Sequence, residues 1–228
     1  MNTMHHPDPT TYLGPAPFID SDHAEIIRQG RALAGASPIQ TAHNCFEFVR
    51  DEIRHSSDFE MGPITCLASE VLKHGTGFCY AKSHLLCALL RVNQIPSGLC
   101  YQRLLISAES NEYCLHGLNA IFLDDFGWYR VDPRGNRAAG TSRDGTAIDA
   151  QFCPPKEQLA FPIVESGEID LPEIHAEPLP IVVRCLQDNV TWQQVCANLP
   201  DCANLPDTAQ QADPAKQIDR ATQPDIEA

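Results

Sequence analysis

Residues 75–91, GTGFCYAKSHLLCALLR, constrain the fold more than any other stretch: a glycine-bracketed loop runs straight into a strongly apolar helix, with Cys79 at the junction. Ala81, Leu85, Ala88, Leu89 and Val92 recur at helical spacing on one face, and Leu86 and Leu90 widen the apolar surface beyond it. A helix apolar around most of its girth is a buried one. Cys79 therefore opens a central, rigid helix, where unpaired backbone N–H groups and the positive end of the dipole favour a thiolate. Gly75 and Gly77 permit close approach of backbone or substrate. A buried cysteine is usually structural. Position, glycines and partners downstream make this one a candidate nucleophile.

The remaining sequence narrows the function classes. A chain of 228 residues with a net charge of −14 fits one domain plus tails, and argues against a nucleic-acid or anionic-membrane surface. No apolar run approaches the length of a membrane span. The start, MNTMHHPDP, lacks the basic and apolar regions of a signal peptide, so a cytoplasmic location is expected. The ten cysteines then read as reduced thiols, with Cys45, Cys87 and Cys100 acting as small hydrophobes in apolar segments. No Cys-x-x-Cys pair occurs, and no metal or cofactor is expected.

The chain divides into an N-terminal arm (1–20), a domain (21–206) and a disordered polar tail (207–228). Phe18, Ile19 and Asp20 anchor the arm. Ser21 or Asp22 caps a first helix. Ser37 caps a second, with Pro38 in its first turn and an apolar stripe reaching Ile53. Arg50, Asp51, Glu52 and Arg54 read as its solvated face. A short helix surrounds 68–72. Strands are expected at 99–106, 115–123 and 128–132, a late strand at 181–183 and a short helix at 191–198. His74 reads as a helix C-terminal residue and His84 as surface or rim.

A thiol nucleophile needs a base, and the base needs an orienting group. His116 on the second strand and Asp132 at the end of the third supply them, since adjacent antiparallel strands set such groups side by side or diagonally. Register decides the matter. If Leu123 pairs with Trp128, Asp132 faces away from His116. If Phe122 pairs with Trp128, it faces Leu118, one step from His116 on the same face. The triad thus requires an odd-length loop at Leu123 to Gly127, or a bulge.

The residues Gly77-Phe78-Cys79, Leu115-His116-Gly117 and Arg130-Val131-Asp132-Pro133, with 68–72 and 88–96 as looser support, resemble the transglutaminase-like superfamily of papain-like cysteine enzymes. The resemblance spans residues 12 to 135 and extends towards 200. It implies an α+β fold, with a central helix carrying Cys79 packed on an antiparallel sheet. It assigns Cys79 as nucleophile, His116 as base and acid, and Asp132 as orienter. The implied reaction is acyl transfer from an amide or peptide bond of a peptide or protein. Hydrolysis is favoured over transfer to an amine acceptor. The flanking β-sandwich domains of animal cross-linking enzymes are missing, so calcium-regulated cross-linking is not expected. A non-catalytic peptide-binding scaffold, or a protein-glutamine cross-linking transglutaminase, is the alternative. A third reading places a metal ion on Cys79, Cys114 and His116.

For the oxyanion hole the Cys79 backbone N–H is the first candidate and the Gln102 side chain the second, a solvated strand glutamine being the simpler reading. Asn136 is a lesser alternative to Asp132 as orienter.

Overall fold

The structure, a computed structural model, describes residues 7–107, 109, 111–139 and 147–202. The expected tail from 207 lies outside the described residues. A 3-10 turn (Pro9–Tyr12) leads to helices α1 (Ala24–Ala32) and α2 (Pro38–Glu47), a π-turn (Phe48–Glu52) and the short strand β1 (Arg54–His55). Then come α3 (Ala68–His74), β2 (Thr76–Gly77), the central helix α4 (Cys79–Val92), and the strands β3 (Ser97–Ser107), β4 (Glu112–Leu123) and β5 (Gly127–Val131). Strands β6 (Gln151–Cys153), β7 (Lys156–Gln158) and β8 (Ile169–Asp170) and helices α5 (Pro180–Gln187) and α6 (Trp192–Ala197) complete the described chain.

Every residue of α4 from Cys79 to Arg91 is buried. One side packs on β3 and β4, and the others on α1, α2 and α3. This is the α+β arrangement of a papain-like core. The sheet is antiparallel, in the order β5-β4-β3-β8. A parallel two-strand pair, β1 with β2, lies at the entrance to α4. Such burial favours partners for the polar groups of α4, and all but Ser83 Oγ and His84 Nε2 find them. Lys82 Nζ donates to the Ile53 and Arg50 carbonyls. The Arg91 guanidinium donates to Ser97 O, Gly14 O and Ala176 O, at 2.8 to 3.1 Å. His84 is fully enclosed rather than at a rim, with Nδ1 2.8 Å from Cys66 O. Burial pushes its pKa down to about 4.

Other expectations shift for local reasons. His23, not Ser21 or Asp22, caps α1, its Nδ1 accepting from Glu25 N. Ser37 caps α2 as expected, its Oγ accepting from Gln40 N. That helix widens into the π-turn after Glu47. Arg50 is not on a solvated face: its side chain is 9% exposed and bridges Glu47, Asp51, Gln151 and Ala150 O. Residues 181–183 form a turn of α5, not a strand. Pro180 sits at the helix start, where its missing N–H is harmless, and Val182, Cys185 and Leu186 bury one helical face. Tertiary burial overrides the β preference of Ile181, Val182 and Val183. Ile19 anchors the N-terminal segment with no exposed surface. Among the described residues no helix is long and apolar enough to cross a membrane.

Candidate active site

The site forms where α4 begins against β4. Gly75 closes α3 in the left-handed conformation (φ 64°), as a residue without Cβ does readily. Thr76 and Gly77 then pair with β1, and Phe78 caps α4. Across the interface, Gly117 lets strand and helix touch. A Cβ there would lie 2.9 Å from Tyr80 Cδ1 and 3.2 Å from Tyr80 Cα. Tyr80 Oη donates to Leu115 O. The residue after Cys79 is thus tied to the residue before His116.

The β4–β5 register pairs Phe122 with Trp128 and Asn119 with Val131. A three-residue turn, 124–126, separates the strands. This is the odd-length connection that the triad requires. His116 Nε2 lies 2.7 Å from Asp132 Oδ2. Asp132, with no exposed surface, also accepts from Arg134 N at 3.1 Å and Ala160 N at 3.2 Å. Burial alone would raise its pKa. The neighbouring His116 and these N–H groups outweigh burial and hold it below the ordinary carboxylate value. For His116 burial works against the charge, but Asp132 and then Cys79 reverse it and bring the pKa up to about 10. Cys79 stands near enough to His116 for its charge to help raise the imidazole. The three residues therefore meet in one place.

Gln102 is directly paired with His116 in the β3–β4 ladder, yet it is neither solvated nor aimed at a substrate. It is 1% exposed, and its Nε2 donates to Asp170 Oδ1 at 2.9 Å and Phe161 O at 3.3 Å. An amide nitrogen has two protons, and both are used. Gln102 is thus not the oxyanion donor in this structure, which leaves the Cys79 N–H from the sequence candidates. Asn136 is also occupied elsewhere: its Oδ1 accepts from Ala150 N and its Nδ2 donates to Ala150 O. Burial pushes the Cys114 thiol up to about 12. Among the described residues no group of three or more His, Cys, Asp and Glu is placed to hold a metal ion.

Several site residues carried no sequence signal. Phe161 stands edge-on to the His116 ring, with centroids 5.0 Å apart, and the Arg134 guanidinium lies over the Phe161 ring, 5.5 Å from its centre. Asp58 receives Arg134 through both oxygens, at 2.8 and 3.0 Å, and Arg137 at 2.9 Å. This half-buried cluster ties the segment after β1 to the turn after Asp132. Pairs so remote in sequence leave no spacing to read.

Residues 29–133 match the family model of the transglutaminase-like superfamily. Two solved structures share low identity. A candidate cysteine protease from Cytophaga hutchinsonii is 15% identical, with a TM-score of 0.45, over 57% of this chain and 43% of that one. The periplasmic domain of TgpA from Pseudomonas aeruginosa is 18% identical, with a TM-score of 0.42, over 56% of this chain and 48% of that one. The chain thus spans under half the length of either. No curated protein matches it.

Proposed function

We propose that this chain, which carries a transglutaminase-like core over residues 29–133, is a cysteine-dependent acyl-transfer enzyme acting on amide or peptide bonds. The observation that carries the reading is the buried His116–Asp132 pair, 2.7 Å apart, set against Cys79 at the start of α4. The Cys79 thiol passes its proton to His116, and the sulfur attacks the carbonyl carbon. The carbonyl electrons move to oxygen, then return to expel the amine, which takes a proton from the His116 imidazolium. A second nucleophile gives its proton to His116 and releases the acyl group. In this reading that nucleophile is water. Cys79 is 8% exposed and His116 4%, which admits water more readily than a protein lysine.

The test starts from the thiols. Burial holds Cys45, Cys66, Cys100 and Cys114 at about 12, and Cys185 at about 11, so these offer little thiolate near neutral pH. Limiting iodoacetamide at pH 7 should label Cys79 first, as read by peptide mapping. An electrophilic amide-mimic probe profiled against a peptide library should react with the wild type and not with Cys79→Ala. Added primary amines should leave the product a free acid. A predominant amide product would replace hydrolysis with transfer, and an unreactive Cys79 would remove the enzyme reading.

A further inference from the structure

A second histidine stands beside the nucleophile, and the triad does not use it. His55 is 6% exposed. In the β1–β2 pair it faces Gly77, two residues before Cys79, and the Ser56 N–H donates to Gly77 O at 3.0 Å, which fixes that register. Its ring meets Phe78, the cap of α4, edge-on at 5.5 Å between centroids. Nδ1 is occupied: Ser57 Oγ lies 3.1 Å away and Asp58 Oδ1 3.7 Å. Nε2 has no hydrogen-bond partner among the described residues. Nε2 is not one of the wholly enclosed unpaired atoms, so on this largely buried ring it keeps accessible surface and is open to a bound group.

The surroundings also set the ring's protons. Asp58 already accepts from Arg134 and Arg137, so it has no need of a proton from His55. The Ser57 hydroxyl then donates to Nδ1, and the ring proton sits on Nε2. Burial, followed by the charges of Arg134, Lys82, His116 and Arg137, drives the His55 pKa well below its ordinary value. The ring is therefore neutral and does not compete with His116 as an acid.

We propose that His55 Nε2–H is the second donor of the oxyanion hole, beside the Cys79 backbone N–H. This rests on Cys79 being the nucleophile. When the Cys79 sulfur bonds to the acyl carbon, the displaced carbonyl electron pair collects on oxygen, and the two donors hold it there. Gln102, whose protons are committed, leaves this position open.

Two reagents separate this role from the others. Iodoacetamide alkylates a thiolate by displacement at saturated carbon and forms no oxyanion. p-Nitrophenyl acetate acylates it through one and releases p-nitrophenolate. Removing one oxyanion donor slows acyl transfer by about 10²–10³-fold in a full site. His55→Phe should therefore slow acylation by at least about tenfold, with Cys79 alkylation within about twofold of wild type. His55→Gln, which keeps a donor, should recover part of the loss. Imidazole ¹⁵N NMR of the wild-type protein should show His55 as the Nε2–H tautomer, a reading independent of how the variants fold. An Nδ1–H tautomer, equal slowing of both reactions, unchanged acylation in His55→Phe, or a wild type that alkylates but does not acylate would each overturn the proposal. A wild-type Cys79 inert to both reagents would instead overturn the nucleophile assignment on which it rests.

Discussion

Asp132 concentrates the chemistry of the site in one side chain. It is buried and takes hydrogen bonds from His116, Arg134 N and Ala160 N. Asp132→Asn keeps the shape and removes the charge. The carboxylate is the largest influence raising His116 against burial, so the His116 titration should move down from about 10 towards its ordinary value of 6.5. NMR of the ring protons reads this directly. Amide turnover should fall by about 10²-fold or more, since the imidazolium is no longer held in place. The linked stability has a defined window. A raised His116 contributes fully below 6.5 and loses that contribution as pH rises through about 10. A lowered Asp132 contributes fully above 3.8 and loses it as pH falls through its depressed value. Both describe one ion pair, so the wild-type melt should flatten between these limits and Asp132→Asn should lose the plateau. At this scale the sequence was informative about Cys79, His116 and Asp132, because each sits at a local landmark: a helix start, a glycine-flanked strand position, a strand end. Asp58, Phe161 and His55 have no such landmark, and their roles depend on contacts made only in the folded chain.

The element scale turns on how closely α4 approaches β4. The apolar girth of α4 predicted its burial, and the need for Asp132 to share a face with His116 predicted the register of β4 on β5. Local patterns sufficed there because helical period and strand alternation are short-range properties. They failed at 181–183, where a β-branched run was absorbed into α5, and at 48–55, where a helical stripe hid a π-turn and a strand. The contact at Gly117 offers a sharp test. In Gly117→Ala the new methyl would meet Tyr80 Cδ1 at 2.9 Å and Cα at 3.2 Å, and the backbone of α4 cannot swing aside like the end of a side chain. Overpacking of this kind costs about 1–3 kcal/mol. Separation of Cys79 from His116 should reduce turnover beyond the loss of folded protein, by about 10²-fold for a displacement near 1 Å. Thermal melts and turnover corrected for the folded fraction check both parts. A variant that melts lower but keeps full corrected turnover would show that strand and helix can part without disturbing the triad.

Across the whole molecule, the C-terminal part of the described chain closes on the sheet beside the site. The Leu115 N–H, adjacent to His116, donates to Pro200 O at 2.7 Å. Arg103 on β3 grips Asp201 through two hydrogen bonds, at 2.7 and 2.9 Å. Cys185 Sγ on α5 donates to Asn198 O at 3.3 Å. These contacts differ in weight. The Arg103–Asp201 side chains are 20% and 19% exposed, so their pairing is worth about 1 kcal/mol. A buried strand N–H stripped of its partner costs about 1–3 kcal/mol. Two chains, one ending at Cys202 and one at Ala197, isolate residues 198–202 from everything beyond them. The shorter should melt roughly 5–15 °C below the longer. Asp201→Asn in the full chain should reproduce only the salt-bridge part, a drop of roughly 2–4 °C. The Leu115 amide should exchange with solvent faster in the shorter chain and stay protected in Asp201→Asn. Equal melting of the two truncated chains would mean that β4 holds His116 without the Pro200 contact.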